Sequence, residues 1–315
     1  MRSKIALIGG GGIGSMLASM ICSKFMSNIV ICDITDGLPE GRSLDLCQAM
    51  AVDGSDHGIY GISGDSSSIE GADVCVVTAG VARKQGMTRE DLLSINKKVM
   101  VQVGENIRKY APDAFVICVT NPLDAMVSVL QHASKLPASH VVGMAGVLDS
   151  ARFSVLLSRA LNISTADIQT IVLGGHGDTM VPVVSYTTVS GIPLSEFVKD
   201  NKITNEQIDS IVQRVRDGGV EIVNYLKNGS AVYAPAASAL CMIRSYLEDQ
   251  KRVLCCSVKL SGQYGYNDIY FGMPAVIGKN GVERILEPTL SDYDIQQVRR
   301  SASKVCELME MCECI

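Results

Sequence analysis

The sequence predicts an α/β protein in which a doubly wound parallel sheet is followed by a mixed α+β region. Three observations carry this prediction. Short, almost wholly apolar runs alternate with helical patterns over the first 143 residues, which is typical of parallel strands buried on both faces. A run of glycines follows the first apolar run directly, and after residue 148 the alternation gives way to longer segments. We therefore predict two domains, at residues 1–146 and 147–315.

Length and composition agree with two folded domains. The chain has 315 residues, and a domain typically takes about 150. Hydrophobic residues make up 47% of the chain and charged residues 19%, which excludes the disordered, collagen-like and coiled-coil classes. The formal net charge is −5, with 28 basic against 33 acidic residues, so the chain lacks the broad positive field of a nucleic-acid-binding protein.

Individual elements follow from apolar periodicity and turn residues. In the first half we predict strands at residues 5–8, 29–33, 74–78, 115–120 and 140–143, and helices at 15–26, 41–50, 92–110 and 124–134. In the second half we predict a helix after Asp149, strands at 168–173, 181–189, 252–260 and 270–277, and a C-terminal helix from Asp292. A long helix begins at the capping box Thr204-x-x-Gln207, and we expect Gly218-Gly219 to bend it.

The uncharged stretch at residues 5–23 resembles a signal peptide or a short membrane span. Its five glycines, Gly9–Gly12 and Gly14, argue against both, because each glycine destabilises a helix interior by about 1 kcal/mol. A strand, a glycine turn and a helix account for every residue of this stretch. We therefore expect a cytoplasmic protein that does not interact with membranes.

The eleven cysteines form no C-x-x-C pair, and their nearest clusters, Cys255-Cys256 and Cys312-x-Cys314, have no histidine nearby, so no metal site is predicted. Several lie in apolar, strand-like runs, which indicates reduced, packed thiols in a cytosolic protein.

Gly9-Gly10-Gly11-Gly12-Ile13-Gly14 matches the pattern G-x-G-x-x-G between a predicted strand and a predicted helix. In a Rossmann domain such glycines let the backbone approach a pyrophosphate, which the helix N-terminus then stabilises. Asp33 ends the next strand, 19 residues after Gly14, where a carboxylate binds ribose hydroxyls and repels a 2′-phosphate. The alternative is a purely structural glycine turn. We predict that the cofactor is NAD rather than NADP.

Four further segments carry candidate chemistry. Residues 80–89 form a basic, glycine-containing stretch that includes Arg83 and Arg89, and Asn121 follows the fourth predicted strand. Asp149 and Arg152 share a helix face, where a surface ion pair is the alternative. His176 lies between glycines, so its imidazole is a candidate general acid or base, whereas the other three histidines fit surface or capping positions.

Together these motifs resemble the lactate/malate dehydrogenase family, and within it the lactate-dehydrogenase-like malate dehydrogenases of bacteria. The resemblance covers the chain essentially end to end. Besides the glycine motif and Asp33, it is carried by the segments G-V-A-R-K-x-G-M-x-R, T-N-P-L-D, G-M-A-G-V-L-D-S-A-R-F, G-G-H-G-D-x-M-V-P and G-S-A-x-Y-A-P-A-A-S. It implies an NAD-dependent malate dehydrogenase of the tricarboxylic acid cycle, and a homo-oligomer, with a tetramer favoured over a dimer.

The resemblance also implies residue roles. His176 would donate and accept the proton, Asp149 would orient it, and Arg152 would bind the substrate C1 carboxylate. Arg89 would polarise the C2 carbonyl after a loop closes, and Asn121 would hydrogen-bond the substrate beside the nicotinamide.

Cofactor contacts and substrate choice complete what the resemblance implies. Asn96 and the backbone of Val119, Thr120 and Asn121 would contact NAD. Arg83 stands where malate enzymes of this family carry Arg and lactate enzymes usually carry Gln, so it would pair with the second carboxylate of oxaloacetate or malate. Lactate dehydrogenase and a non-catalytic NAD-binding protein are the alternatives.

Overall fold

The computed structural model describes residues 2–24, 27–81, 89–227 and 229–312, with the side chain of Arg89 outside this description. Its main feature is a nine-stranded sheet. The first six strands are parallel and lie in the order β3-β2-β1-β4-β5-β6, the order of a dinucleotide-binding Rossmann sheet. They are β1 Lys4–Ile8, β2 Asn28–Asp33, β3 Gly58–Ser63, β4 Val74–Val77, β5 Phe115–Cys118 and β6 Val141–Gly143.

Four helices connect these strands and cover both faces of the sheet: α1 Gly12–Lys24, α2 Leu38–Val52, α3 Arg89–Tyr110 and α4 Leu123–Ser134. Successive side chains of a strand point to opposite faces. Ile5 and Leu7 of β1 accordingly enter one core cluster, which includes Leu17 of α1. Ala6 between them enters the other, which includes Met100 of α3. Both faces are therefore buried, which explains why the strands are apolar at nearly every position.

In the second half the same sheet continues with antiparallel strands. These strands are β12 Arg252–Ser261, β13 Asn267–Gly278 and β14 Gly281–Ile285. Ser257 of β12 pairs with Gly143 of β6, β13 pairs with β12, and β14 pairs with β13 at the edge of the sheet. The remaining helices are α5 Gly146–Leu161, α6 Leu194–Lys199, α7 Asn205–Leu226, α8 Tyr233–Leu247 and α9 Asp292–Met311. The remaining strands are short: β7 Ile168–Gln169, β8 Val172–Leu173, β9 Val181–Pro182, β10 Thr188–Val189 and β11 Ile192–Pro193.

The predicted fold class is confirmed, and several details of the prediction are wrong. The strand β3 was not predicted, since its sequence GIYGIS is glycine-rich and only partly buried at the sheet edge. The expected strands at 168–173 and 181–189 are each broken in two, and a 3-10 helix at Val184–Tyr186 interrupts the second. The helix α1 begins at Gly12 rather than at residue 15.

The predicted bend at Gly218-Gly219 is also wrong, because α7 runs without a break from Asn205 to Leu226 behind the predicted capping box. Gly218 instead allows a close contact with a neighbouring side chain. A Cβ at Gly218 would lie 3.1 Å from Cδ and 3.3 Å from Nε of Arg152. Gly218 therefore lets α7 pass close to the arginine side chain.

Two further observations concern the described part of the chain. None of its helices is long and apolar enough to cross a membrane. Its cysteines other than Cys312 are free thiols, most of them are buried, and no group of three or more His, Cys, Asp or Glu residues in it could hold a metal ion.

Candidate active site

The glycine turn after β1 is shaped by close contacts. Gly9 has φ +117°, and a Cβ there would lie 2.5 Å from Oγ1 of Thr78. A Cβ at Gly14 would collide with the carbonyl oxygen of Gly9. A Cβ at Gly11, in contrast, would meet no atom within 4 Å. Gly9 and Gly14 thus fix the turn, while Gly11 borders open space.

This turn fits the phosphates of a dinucleotide. The first helical hydrogen bond of α1 is donated by Ser15 N–H to the Gly11 carbonyl at 2.9 Å. The amides of Gly12, Ile13 and Gly14 precede that bond, so by helix geometry they are directed out of the N-terminus, where the helix dipole is positive. These amides are the groups that would hold the phosphates.

Asp33 lies beside the turn at the end of β2. Its Oδ2 accepts Gly10 N–H at 2.7 Å and its Oδ1 accepts Thr35 N–H at 2.9 Å. Burial raises the pKa of Asp33, but these backbone hydrogen bonds outweigh burial, and the pKa lies below its ordinary value. An ionised carboxylate therefore lies beside the glycine turn. Its contact with the ribose of NAD stays a prediction.

Asn96 of α3 connects the ends of β4 and β5. Its side chain is completely buried, its Oδ1 accepts Val81 N–H at 2.9 Å, and its Nδ2 donates to the carbonyls of Val81 and Asn121 at 3.2 and 2.8 Å. Thr120 adds a second link, since its hydroxyl donates to the Ala79 carbonyl at 2.7 Å. Asn96 therefore braces the backbone from within. Its predicted contact with NAD, like those of Val119 and Thr120, stays a prediction.

His176, Asp149 and Arg152 form one hydrogen-bonded array. His176 Nδ1 lies 2.8 Å from Oδ2 of Asp149, and Arg152 Nη1 donates to Oδ1 of the same carboxylate at 3.0 Å. The Asp149 side chain is only 2% exposed, against 15% for His176 and 16% for Arg152. The carboxylate thus lies beneath two side chains that reach solvent, and Nδ1 of His176 is the nitrogen it engages, which leaves Nε2 for a substrate.

The charges of the array favour a protonated histidine. Burial lowers the pKa of His176, but the negative charge of Asp149 and its hydrogen bond raise it, and Asp124 adds to the rise. Arg152 acts in the opposite direction, and the net pKa lies above the ordinary value. A proton is therefore held more tightly on His176 than on a free imidazole. Within the described residues the buried Nε of Arg152 has no hydrogen-bond partner, so the guanidinium has at least one uncommitted donor.

The backbone of the His176 loop is held by hydrogen bonds at three successive residues, 174–176. Gly174 has φ +92° and exchanges two backbone hydrogen bonds with Gly272 of β13, at 3.0 and 3.2 Å. Gly175 N–H donates to the hydroxyl of Ser301 of α9 at 2.9 Å, and His176 N–H donates to Oδ2 of Asp124 at 2.8 Å. The imidazole is thus presented by a loop whose backbone is held by a strand and two helices.

The structure brings most of the predicted residues to one edge of the sheet. The glycine turn, Asp33, and the segment that ends in the exposed Asn121 all follow the carboxyl ends of parallel strands. Arg83 lies outside the described residues, and Arg89 is described only as the first residue of α3.

Sequence reasoning missed the residues that support the site, namely Asp124, Gly218, Ser257, Gly272 and Ser301. Asp124 and Ser301 are 52 and 126 residues from their partners in the loop. A contact at such separation leaves no local pattern. The only available signal was the position of Asp124 inside the motif T-N-P-L-D.

A glycine turn that fits a dinucleotide, together with an array of histidine, aspartate and arginine, is typical of a nicotinamide-dependent oxidoreductase. Two family models cover nearly the whole chain: the NAD-binding domain of lactate/malate dehydrogenase matches residues 3–143, and the alpha/beta C-terminal domain of lactate/malate dehydrogenase matches residues 146–313. The chain belongs to the lactate/malate dehydrogenase family, as the sequence resemblance indicated, and the cofactor of this domain is NAD.

Solved structures of similar chains agree with this assignment. Malate dehydrogenase from Cryptosporidium parvum is 47% identical, with a TM-score of 0.97 and 100% of both chains covered. Lactate dehydrogenase from Cryptosporidium parvum, complexed with lactic acid and the dinucleotide cofactor, is 42% identical, with a TM-score of 0.96 over 99% of this chain and 98% of that one. Malate dehydrogenase from Plasmodium falciparum in complex with NADH is 37% identical, with a TM-score of 0.93 over 98% of both chains.

Proposed function

We propose that this protein is an NAD-dependent malate dehydrogenase, which oxidises (S)-malate with NAD⁺ to oxaloacetate, NADH and a proton, and catalyses the reverse reaction. The observation that carries the proposal is the shared carboxylate of Asp149, which holds a proton-donating imidazole and an anion-binding guanidinium within 3.0 Å of its two oxygens. A 2-hydroxy acid requires both groups, one for its hydroxyl and one for its carboxylate.

Each residue has a defined task in this reaction. When bound, the nicotinamide supplies or accepts the hydride. Arg152 binds the C1 carboxylate, for which a planar guanidinium is better suited than an ammonium. Protonated His176 donates from Nε2 to the oxygen at C2 as charge develops there, and Asp149 stabilises the imidazolium. Asn121 orients the substrate, and Arg89 polarises the C2 carbonyl.

Arg83 is the residue proposed to select a dicarboxylate. A second carboxylate that is removed from water without a counter-charge is strongly unfavourable, and Arg83 supplies that charge. A hydrogen bond to a charged group contributes about 1.5–3 kcal/mol, so Arg83→Gln should lower the ratio of kcat/KM for oxaloacetate over pyruvate roughly 10- to 150-fold. Lys84→Gln is the matched control, since it removes the neighbouring positive charge from the same segment.

The test is a steady-state assay of NADH oxidation with oxaloacetate and with pyruvate. We expect wild type and Lys84→Gln to prefer oxaloacetate and Arg83→Gln to lose that preference. Equal loss in both variants, or faster turnover of pyruvate by wild type, would contradict the proposal. A lactate dehydrogenase is the second candidate, favoured by the 42% identity to the Cryptosporidium parvum lactate dehydrogenase.

The proposal extends to assembly, location and domain division. We propose a homotetramer in the cytoplasm, built from an NAD-binding domain at residues 1–146 and a catalytic domain at 147–315. The thiols of the described cysteines other than Cys312 are free and mostly buried, which supports a reducing compartment. Size-exclusion chromatography with light scattering measures the oligomer directly, and a monomer or dimer would contradict the tetramer.

A further inference from the structure

Asp124 lies in the first turn of α4 and is 4% exposed. Its Oδ2 accepts the backbone N–H of His176 at 2.8 Å, and its Oδ1 accepts the hydroxyl of Ser257 at 2.7 Å. One side chain thus connects three parts of the fold: a helix of the first half, the loop of the proton-donating residue, and the strand β12. The reaction described above gives Asp124 no task.

The surroundings of Asp124 are closely packed and mostly uncharged. A Cβ at Gly175 would lie 3.3 Å from its Oδ2 and 2.5 Å from Cγ2 of Val305 in α9, so nothing larger than glycine fits between them. The loop also donates Gly175 N–H to the hydroxyl of Ser301 in α9. The charged groups that act on this region are Asp149 and Arg152 of α5 together with His176 itself.

The donor set fits an ionised carboxylate. Both oxygens of Asp124 accept hydrogen bonds from neutral donors, and the N-terminal turn of α4 places the positive end of a helix dipole beside them. Burial, to which the charge of Asp149 adds, raises the pKa of Asp124 above its ordinary value, and the hydrogen bonds from Ser257 and from the His176 backbone, with the positive charge of His176, oppose that rise. The negative charge of ionised Asp124 acts on the imidazole of His176, whose loop Asp124 holds.

We propose that Asp124 is a positioning residue, which holds the His176 loop through the backbone N–H and stabilises the imidazolium of His176 with its ionised carboxylate. Its kinetic consequence rests on the proposed dehydrogenase function, whereas its electrostatic consequence does not. The negative charge favours the protonated form of His176, so removing the charge lowers the pKa of the imidazole. An amide can still accept the backbone N–H and donate to Ser257, so Asn preserves the anchor while it removes the charge.

Two variants separate the charge from the anchor. Asp124→Asn removes the charge and keeps the hydrogen bonds, whereas Ser301→Ala removes the neighbouring anchor, at Gly175 N–H, without changing any charge. The pKa of His176 is measured by NMR titration of the ring in the protein without added substrate, with the signal assigned by its loss in His176→Asn. Asp124→Ala removes both the charge and the anchor.

We expect Asp124→Asn to lower the pKa of His176 by about one unit, as a nearby charge typically does, and Ser301→Ala to leave it unchanged. In the assay, Asp124→Asn should retain at least tenfold more kcat at acidic pH than Asp124→Ala, since a misplaced catalytic group costs up to about 100-fold. Should Asp124→Ala fail to fold, Asp124→Asn and Ser301→Ala still decide the question.

An unchanged pKa of His176 in Asp124→Asn would overturn the electrostatic role. Equal kcat in Asp124→Asn and Asp124→Ala, both folded, would overturn the role of the anchor. If wild type reduces neither oxaloacetate nor pyruvate, the proposed function fails, while the NMR titration still tests the proposal for Asp124.

Discussion

Gly218→Ala is a small change with a calculable effect on Arg152. The added Cβ would lie 3.1 Å from Cδ and 3.3 Å from Nε of the arginine, which is closer than ordinary van der Waals contact. The arginine side chain must therefore move by a few tenths of an ångström. Its Nη1 is held by Asp149 at 3.0 Å, so the movement loosens either that hydrogen bond or the one to the substrate carboxylate.

The expected change in KM follows from the strength of the Arg152 hydrogen bond that is weakened. A hydrogen bond to a charged group contributes about 1.5–3 kcal/mol, and weakening it by about 1 kcal/mol raises KM about fivefold. Alanine also stabilises a helix interior by about 1 kcal/mol relative to glycine, so the free energy of unfolding should not fall. We therefore expect a KM defect in a protein that is at least as stable as wild type.

Gly219→Ala is the matched control. It makes the same change one residue further along α7, and its Cβ would lie 4.0 Å from Nη2 of Arg152, an ordinary contact. Steady-state kinetics with oxaloacetate and urea denaturation of both variants measure KM and stability. We expect Gly219→Ala to gain stability without a change in KM. Equal KM values in the two variants would refute the dependence of Arg152 on Gly218.

Three further predictions concern the proposed acid His176, its hydrogen-bond partner Asp149, and Asp33, which is predicted to bind the cofactor. His176→Asn should lower kcat by about 10²- to 10⁴-fold while NADH binding, followed by fluorescence, is retained; near-normal turnover would remove His176 as the acid. Asp149→Asn removes the largest influence that raises the pKa of His176. In a pH–rate profile, the pH above which oxaloacetate reduction declines should therefore be lower than in wild type. An unmoved profile would contradict that coupling. Asp33→Asn should raise the KM for NADH about tenfold, through loss of a charged acceptor, and raise it less for NADPH; equal effects on both cofactors would count against the assignment of Asp33.

The periodicity of the chain was sufficient for the sheet of the first half. Strands buried on both faces are apolar throughout, so β1, β2, β4 and β5 are visible in the sequence. The strand β3 was missed for the complementary reason, since an edge strand with two glycines and a partly exposed face has no such pattern. The same limit applies to the β7–β11 region, where strands of two residues are too short for any periodicity to be seen.

The candidate site divides in the same way. The glycine turn, Asp33 and the pair Asp149–Arg152 were predictable because backbone requirements and helical spacing are local. The bend expected at Gly218-Gly219 was wrong because a glycine can serve a neighbouring side chain as well as its own backbone, and the sequence does not distinguish these uses.

By itself, the sequence determined the candidates for the chemistry: a glycine turn predicted to bind phosphates, a carboxylate predicted to bind ribose, and a histidine with candidate aspartate and arginine partners. Only the tertiary structure decided how they are held. It set His176 on Asp149, anchored the loop on Asp124 and Ser301, and placed Gly218 against Arg152. The physical reason is that local patterns depend on a few neighbouring residues, whereas hydrogen bonds and close contacts between residues 27 to 126 positions apart exist only once the chain has folded.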